Sequence, residues 1–410
     1  MDRLTAIKDL DHRTTAAISY HYQEAGEPYN WVTTATYHKS DGSRHNTTRQ
    51  FYDGLGRPSV SCTDQMTPRG KYSYTLSEYD LRGNCIRSWM PVPFRSLSGT
   101  GKTSADVMSA SSTFYGDSYG FQSTEYDALR RVVKSTTPGA AWHQGGRSKA
   151  ISYRLNESGS VRKYDTISRQ DTLPYSYYVH GDLVVEETED EDGHRSATYR
   201  DGRSLTVMER SYKDGETNDT YYVYDDKGQL CWVLQPNYQE NADLKCSAFH
   251  YRYDEKGQCV KRRLPGCGPE SYSYDAQGRL VKAQNVEQCR TYEYDALGRV
   301  TVQRVTGSQT EGQGEEELRN YYDCYDFLYS LYGQDSEEST ILHPGTSDHG
   351  HGQLTGTYQR TSTGETLLTV YGYDRMKRPS ETHVLGLDGH LSIARQDYSF
   401  AGDVTCQHFE

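Results

Sequence analysis

Short segments in which small polar residues alternate with aromatic ones recur along this chain. Ser271-Tyr-Ser-Tyr274 shows the pattern clearly, because its tyrosines fall on every second position. That period places them on one face of a β-strand. Runs with the helical period are nearly absent. The pattern therefore predicts more than about 40% strand and less than about 10% helix, far from the usual balance.

Each of these segments is followed by residues that favour a tight turn. Asp275 comes directly after Tyr274, and Gly278 follows three positions later. An aspartate suits the first position of a type I turn, because its carboxylate accepts a hydrogen bond from the N–H two residues on. A glycine three positions later supplies the positive φ of a hairpin with a G1 bulge. Residues 271–282 are thus predicted to form one β-hairpin.

The same seven-residue frame recurs along the chain, with its closest spacing between Asp254, Asp275 and Asp295. Six copies keep its tyrosine, aspartate and glycine, and some also keep an arginine. These motif residues are Tyr52, Asp53, Gly56, Arg57, Tyr79, Asp80, Gly83, Tyr224, Asp225, Gly228, Tyr253, Asp254, Gly257, Tyr274, Asp275, Gly278, Arg279, Tyr294, Asp295, Gly298 and Arg299. The degraded copies are Tyr126-Asp-Ala-Leu-Arg-Arg-Val132, Tyr164-Asp-Thr-Ile-Ser-Arg-Gln170 and Tyr373-Asp-Arg-Met-Lys-Arg-Pro379.

The repeat predicts an all-β fold in which successive hairpins form a long, curved, spiralling antiparallel sheet. One hairpin is not stable alone in water, so neighbouring hairpins have to pair. Tyrosine numbers 37, against 8 phenylalanines. We therefore expect rows of packed tyrosines to replace much of the aliphatic core.

The turn signals and changes of composition divide the chain into five expected segments. Ser/Gly-rich and acidic stretches separate the more regular ones. The segments are a β leader with the first motifs at 1–95, a flexible Ser/Gly-rich loop at 96–120, the repeat region at 121–305, a loop-rich acidic insertion at 306–352 and terminal repeat strands at 353–410.

These motifs closely resemble the Rhs/YD-repeat family, which includes shell subunits of insecticidal toxin complexes, polymorphic toxins and teneurins. The N-terminal region resembles the leader of Rhs proteins from Bacteroidetes, through Tyr52-Asp-Gly-Leu-Gly-Arg-Pro58, Trp89-Met-Pro-Val-Pro93 and Pro138-Gly-Ala-Ala-Trp142. The resemblance covers roughly residues 30–400. It implies a hollow β-shell, often around a C-terminal toxin, and a secreted or cell-surface location.

The chain departs from that family in two ways. It lacks the Asp-Pro-x-x-Gly type of motif that supports self-cleavage of the toxin, and it has fewer repeats than a closed shell needs. We therefore expect a fragment or a truncated member. The expected partners are the remainder of the shell or a toxin cargo, and a glycan or protein at the cell surface is an alternative.

The net charge, the absence of long apolar runs and the cysteine spacing argue against several other classes of protein. The net charge of −12 argues against nucleic acid as a partner, because phosphate binding needs a basic surface. The sequence has no apolar run long enough for a transmembrane helix, and its start lacks the pattern of a secretory signal. The nine cysteines show no regular spacing and no Cys-x-x-Cys, which favours free structural thiols.

Four patterns could carry chemistry, and a structural interpretation is preferred for each. Gly116-Asp-Ser118-Tyr-Gly120 matches a nucleophile elbow but lacks the preceding apolar strand. His343, Asp348, His349 and His351 could bind a metal, but they lie in a glycine-rich loop. The repeated aspartates could resemble a glycosidase pair, but their turn position explains them. The glycosylation triplets at Asn46, Asn156 and Asn218 are given no function.

The sequence thus predicts a structural shell segment that is not an enzyme and has no catalytic, cofactor-binding or metal-binding residues. The alternative is a surface module that binds glycan or protein through exposed aromatic rows. A hydrolase based on Ser118 is a third hypothesis, and it requires a histidine and an acid near that serine.

Overall fold

The computed structural model describes residues 4–8, 14–22, 30–37, 45–64, 72–95, 102–167, 172–307, 315–334, 336–345, 349–399 and 402–410. Of the described residues, 53% are strand and 10% are helix, and 27 strands form a long antiparallel sheet. This confirms the all-β prediction.

The strands of the first half are β1 (Ala6–Lys8), β2 (Thr14–His21), β3 (Asn30–Tyr37), β4 (His45–Tyr52), β5 (Pro58–Asp64), β6 (Tyr72–Tyr79), β7 (Cys85–Phe94), β8 (Phe121–Tyr126), β9 (Val132–Thr136), β10 (Lys149–Leu155), β11 (Arg162–Tyr164), β12 (Tyr175–Tyr177), β13 (Val184–Glu189), β14 (Arg195–Arg200) and β15 (Thr206–Lys213). The helices here are α1 (Ser104–Tyr115) and α2 (Ala140–His143).

The strands of the second half are β16 (Glu216–Tyr224), β17 (Leu230–Leu234), β18 (Ala248–Tyr253), β19 (Cys259–Arg263), β20 (Pro269–Tyr274), β21 (Leu280–Gln284), β22 (Gln288–Tyr294), β23 (Val300–Gly307), β24 (Glu316–Tyr322), β25 (Leu354–Arg360), β26 (Thr366–Tyr373), β27 (Pro379–Leu385), β28 (Leu391–Tyr398) and β29 (Val404–Phe409). The helices here are α3 (Pro236–Asn241), α4 (Asp326–Tyr332) and α5 (Glu337–Leu342).

The chain forms two compact units. The first comprises Met1–Ser160, Tyr178–Asn218 and Ser399–Asp403. In it β1 to β10 pair in chain order, and β10 continues to β13, β14 and β15. Its core lies between this sheet and α1 and consists of Trp31, Phe51, Val60, Cys62, Tyr74, Leu76, Trp89, Val107 and Phe121.

The second unit comprises Val161–Tyr177, Asp219–Tyr398 and Val404–Glu410. In it β16 to β29 pair in chain order, and β11 pairs with β12 as a separate hairpin. Helices α4 and α5 contribute to a core of Tyr325, Phe327, Leu328, Leu342, Leu368 and Val370.

The expected flexible loop at 96–120 is wrong where the structure describes it. Helix α1 begins at a capping box, in which Thr103 Oγ1 accepts from the Asp106 N–H at 3.2 Å and Asp106 accepts from the Thr103 N–H at 2.9 Å. It ends at Gly116, whose φ is +67°. The helix forms because Val107 is fully buried in the core of the first unit. Residues 96–101 lie outside the described ranges.

The loop-rich insertion expected at 306–352 also contains regular structure, since β24, α4 and α5 lie within it. Leu328 and Leu342 are buried there, and this burial accounts for the two helices. The five-segment division itself stays a prediction.

Candidate functional site

The repeated turn has the geometry that its aspartate and glycine predict. The Gly278 N–H donates to the Asp275 carbonyl at 3.0 Å, and Gly278 has a φ of +86°. Asp275 Oδ1 accepts from the N–H groups of Gln277 and Arg279, each at 2.9 Å. The following copy repeats the arrangement, with Gly298 at a φ of +83°. Each motif thus closes a hairpin with its own side chains.

The motif arginine folds back onto the motif aspartate. Arg279 Nε lies 2.6 Å from Asp275 Oδ2. The backbone N–H of Arg279 stabilises the charged carboxylate, and its guanidinium adds to this effect. Together they hold the pKa of Asp275 below its usual value, although partial desolvation acts in the opposite direction. The same ion pair occurs at Arg57–Asp53, Arg131–Asp127, Arg299–Asp295 and Arg378–Asp374.

The motif tyrosine connects its hairpin to the preceding one. The Tyr294 hydroxyl, for example, donates to the Leu280 carbonyl at 2.7 Å. Leu280 belongs to the preceding repeat, where it directly follows the arginine position of the motif. Equivalent bonds of 2.6–3.3 Å join Tyr79 to Pro58, Tyr126 to Cys85, Tyr153 to Val132, Tyr253 to Leu230, Tyr274 to Cys259, Tyr322 to Val300, Tyr373 to Leu354 and Tyr398 to Pro379.

The arginine of one repeat also covers the tyrosine ring of the next. The Arg279 guanidinium carbon lies 4.7 Å from the centre of the Tyr294 ring, a cation–π distance. Four further pairs at 4.0–4.8 Å are Arg57–Tyr79, Arg131–Tyr153, Arg299–Tyr322 and Arg378–Tyr398. We call the tyrosine–carbonyl and arginine–tyrosine contacts together the Tyr–Arg ladder.

The ladder changes the expectation of packed tyrosine rows. The tyrosines do recur at one hairpin position. Where the preceding repeat has an arginine, however, that arginine covers the tyrosine ring. Their side chains are half-buried, except for the buried Tyr373. The two buried cores instead combine Trp, Phe, Leu and Val with a few other tyrosines, such as Tyr74.

All the sequence-predicted motif residues lie in these turns or directly before them, and the arginine position varies. Where arginine is absent, other polar residues take its place. Asn84 donates to Asp80 Oδ2 at 2.8 Å, and Gln258 reaches the Gly278 carbonyl of the next turn at 3.1 Å. Gln229 occupies the same place after Asp225, whose carboxylate accepts its backbone N–H at 2.8 Å.

Two degraded copies keep the backbone conformation without the glycine. Arg130 and Lys377 occupy the glycine position with φ values of +64° and +60°. This is the left-handed region, which side chains with a Cβ adopt at a cost. In the third degraded copy the equivalent residue, Ser168, lies outside the described residues.

Sequence reasoning missed the copy of the motif at Tyr322-Asp323. The Tyr322 hydroxyl makes the ladder bond to Val300, and the two terminal guanidinium nitrogens of Arg299 reach the Asp323 carboxylate, at 2.6 and 3.1 Å. Arg299, with the N–H of Gly352, lowers the pKa of Asp323 to about 2. The Tyr-Asp pair itself was the available signal. It was missed because no glycine follows it at the motif spacing.

The Ser118 segment does not have the local order of a nucleophile elbow. It follows α1 and precedes β8, so a helix leads into a strand, whereas the elbow needs a strand that leads into a helix. Ser118 is exposed, and the neighbouring Asp117 accepts from the Tyr119 N–H at 2.7 Å. Asp117 therefore shapes this loop.

Two of the histidines considered as metal ligands, His343 and His351, each lie close to another protein group. His343 packs against Tyr325, with ring centres 5.1 Å apart, and its Nδ1 lies 3.2 Å from the Pro344 carbonyl. His351 is exposed, with Nδ1 3.8 Å from Asp323. Asp348 lies outside the described residues. The Asn156 triplet is structural, because its amide is buried and bonded to Val179 and Leu183.

Two family matches cover parts of the chain. Residues 237–311 match the family described as Teneurin YD-shell, and residues 27–155 match a domain of unknown function, DUF6443. No curated protein matches the sequence.

Solved structures of toxin complexes share the fold. The crystal structure of TcdB2-TccC3 has a TM-score of 0.57 at 14% identity, over 98% of this chain and 21% of that one. A Photorhabdus luminescens Tc holotoxin pore gives 0.56 at 14% identity, over 93% of this chain and 19% of that one. TcdB2-TccC3 without its hypervariable C-terminal region gives 0.55 at 15%, with the same coverage of 93% and 19%.

The chain therefore spans about one fifth of the length of the solved structures that it matches. At these identities the likeness establishes the fold alone, which is a long antiparallel sheet of successive β-hairpins. Together with the Teneurin YD-shell match, it supports an Rhs/YD-repeat protein. Among the described residues, no helix is both long and apolar enough to cross a bilayer.

Proposed function

We propose that this chain is a wall segment of an Rhs shell of the Bacteroidetes type. In this proposal it encloses, carries or displays a cargo and performs no catalysis of its own. Its partners are the remainder of the shell and a toxin-type or cell-surface cargo.

The observation that carries the proposal is the Tyr–Arg ladder. Its hydroxyls, guanidinium groups and carboxylates bond to one another and to backbone carbonyls of the neighbouring hairpin. These polar groups stabilise the sheet, and because they bond to one another and to the backbone, few of them are available to bind or react with a ligand. Such a device suits a wall, because a tyrosine–carbonyl bond joins neighbouring hairpins at nine places among the described residues.

The binding-module alternative has less support from the same geometry. Stacking on sugars needs exposed aromatic faces, but an arginine already covers five of the ladder rings. The acidic net charge of −12 supports a partner other than nucleic acid.

Imaging of the assembled protein tests the proposal. The chain is co-expressed with the polypeptides encoded on either side of it, and the purified assembly is imaged by electron cryomicroscopy. We expect a hollow particle with these strands in its wall. The enclosed cargo should be protected from added protease. A particle without an interior, or a chain that never joins an assembly, would contradict the proposal.

A ladder variant provides the matched control for that experiment. Combining Tyr274→Phe with Tyr294→Phe removes two fastening hydroxyls and should increase protease access to the interior. Tyr329→Phe removes the hydroxyl of an exposed tyrosine outside the ladder and should leave the protection unchanged.

A further inference from the structure

Three different metal-binding side chains project from the paired strands β28 and β29. Asp397 lies directly opposite Cys406 in the antiparallel register. His408 is two residues beyond Cys406, and side chains two apart on a strand share a face. The carboxylate, thiol and imidazole donor atoms all lie within 4.8 Å of one another. It is the one such three-donor group among the described residues.

We propose that Asp397, Cys406 and His408 form a binding site for Zn²⁺. A thiolate, an imidazole and a carboxylate together match the ligands of zinc, whereas Ca²⁺ and Mg²⁺ take oxygen ligands. With three protein ligands, water takes the fourth position of a tetrahedral site. Binding displaces the thiol proton of Cys406 to solvent, so that a sulfur–metal bond forms.

The separation of the donors suits this ion after a small adjustment. Tetrahedral zinc with bonds of about 2.0–2.3 Å places its ligand atoms roughly 3.3–3.8 Å apart. His408 Nε2 already lies 3.6 Å from Asp397 Oδ2. All three side chains are exposed, so a rotamer change can bring the sulfur closer without disturbing a core.

The strand pair holds the backbone of the site in place. The Ile393 N–H donates to the Glu410 carbonyl at 2.9 Å, and the Glu410 N–H donates back at 2.8 Å. Thr405 Oγ1 donates to the Asp397 carbonyl at 3.1 Å. The nearby cation Arg395 lies opposite His408, but it is paired with Glu381 and Glu410 and so repels a metal ion less.

Cobalt titration of the full chain under reducing conditions tests the site, because thiolate-bound Co²⁺ has a charge-transfer band in the near ultraviolet. We expect one equivalent to give this band and Zn²⁺ to remove it by displacement. Cys406→Ser should abolish the band. His408→Gln and Asp397→Asn should weaken binding by at least about tenfold.

Cys267→Ser provides the control, since Cys267 is also exposed and free but is not part of the three-donor group. It should titrate like the unmodified chain, and circular dichroism should show all the variants folded. The proposal is wrong if the unmodified chain gives no thiolate band. A band that survives in Cys406→Ser, or is lost equally in Cys267→Ser, would also overturn it.

Discussion

The hydroxyl of Tyr294 donates a hydrogen bond to the backbone carbonyl of Leu280 in the preceding hairpin, 2.7 Å away. Arg279, the residue before Leu280, covers the Tyr294 ring and donates to the Asp295 carbonyl at 3.2 Å. Arg279 and Leu280 thus contact the next repeat at the Tyr294 hydroxyl, the face of its ring and the Asp295 carbonyl. Repetition of these contacts stabilises a sheet whose repeat tyrosines are half-buried.

Removal of the Tyr294 hydroxyl should destabilise the protein by about 0.5–1.5 kcal/mol, because one intramolecular hydrogen bond is lost. The measurement is the urea midpoint of Tyr294→Phe compared with the unmodified chain. Tyr329→Phe is the matched control, since the Tyr329 hydroxyl bonds to no described residue. Its midpoint should stay within about 0.5 kcal/mol. Equal effects in both variants would show that the ladder bond contributes nothing.

Substitution of Gly278 by valine should cost about 1–3 kcal/mol, because a β-branched residue is strained at its φ of +86°. An added Cβ would also lie 2.9 Å from Gln258 Nε2, at the movable end of that side chain. Gly202→Val is the control, since Gly202 has open space and no positive φ. An unchanged unfolding midpoint for Gly278→Val would contradict the turn assignment.

The hairpin itself could be predicted from the sequence, because its determinants are local. Asp275 and Gly278 act within one turn, and alternation fixes the face of the strand beside them. The ladder could not be predicted in this way, since Arg279 and Tyr294 belong to different repeats. Their contact depends on the register between hairpins, and a single motif does not contain that information.

The helices and the three-donor group show the same limit. The Ser/Gly composition around α1 favours a loop, and burial of Val107 overrides it. A capping pattern at Thr103 and Asp106 was the available signal. Asp397 and Cys406 face each other through the register of β28 and β29. Their spacing along the sequence matches no metal motif, so the pair could not be recognised before the strands were placed.

Replacement of Arg130 or Lys377 by glycine should stabilise the protein by up to about 1 kcal/mol. Relief of the left-handed backbone is worth about 1–2 kcal/mol, and the added freedom of the unfolded chain offsets about half of it. Each variant also loses a side-chain bond, from Lys377 to the His351 carbonyl at 2.7 Å or from Arg130 to the Arg82 carbonyl, and this loss reduces the gain at both sites. Leu129→Gly, one residue before Arg130 and at a negative φ, should instead destabilise. Lower midpoints for all three glycine variants would refute the conformational argument.

Acid should weaken the fold at pH values between about 4 and 2, and Asp323 should contribute to this loss. Arg299 and the Gly352 N–H lower the pKa of Asp323 from 3.8 to about 2, so the unfolded chain takes up this proton first as the pH falls. A group with a lowered pKa contributes its full stability above the unfolded value, and that contribution disappears as the pH falls through the folded value. The lowered pKa values of Asp53, Asp80, Asp127, Asp275 and Asp295 act in the same direction.

The measurement for this acid prediction is the urea midpoint from pH 7 to pH 2 for the unmodified chain and for Asp323→Asn. Asparagine tolerates the Asp323 φ of +72° but cannot form the ion pair with Arg299. The variant should therefore be less stable at pH 7 and should lose less stability between pH 4 and pH 2. If both proteins lose the same amount over that range, the Arg299–Asp323 pair does not carry the acid dependence assigned to it.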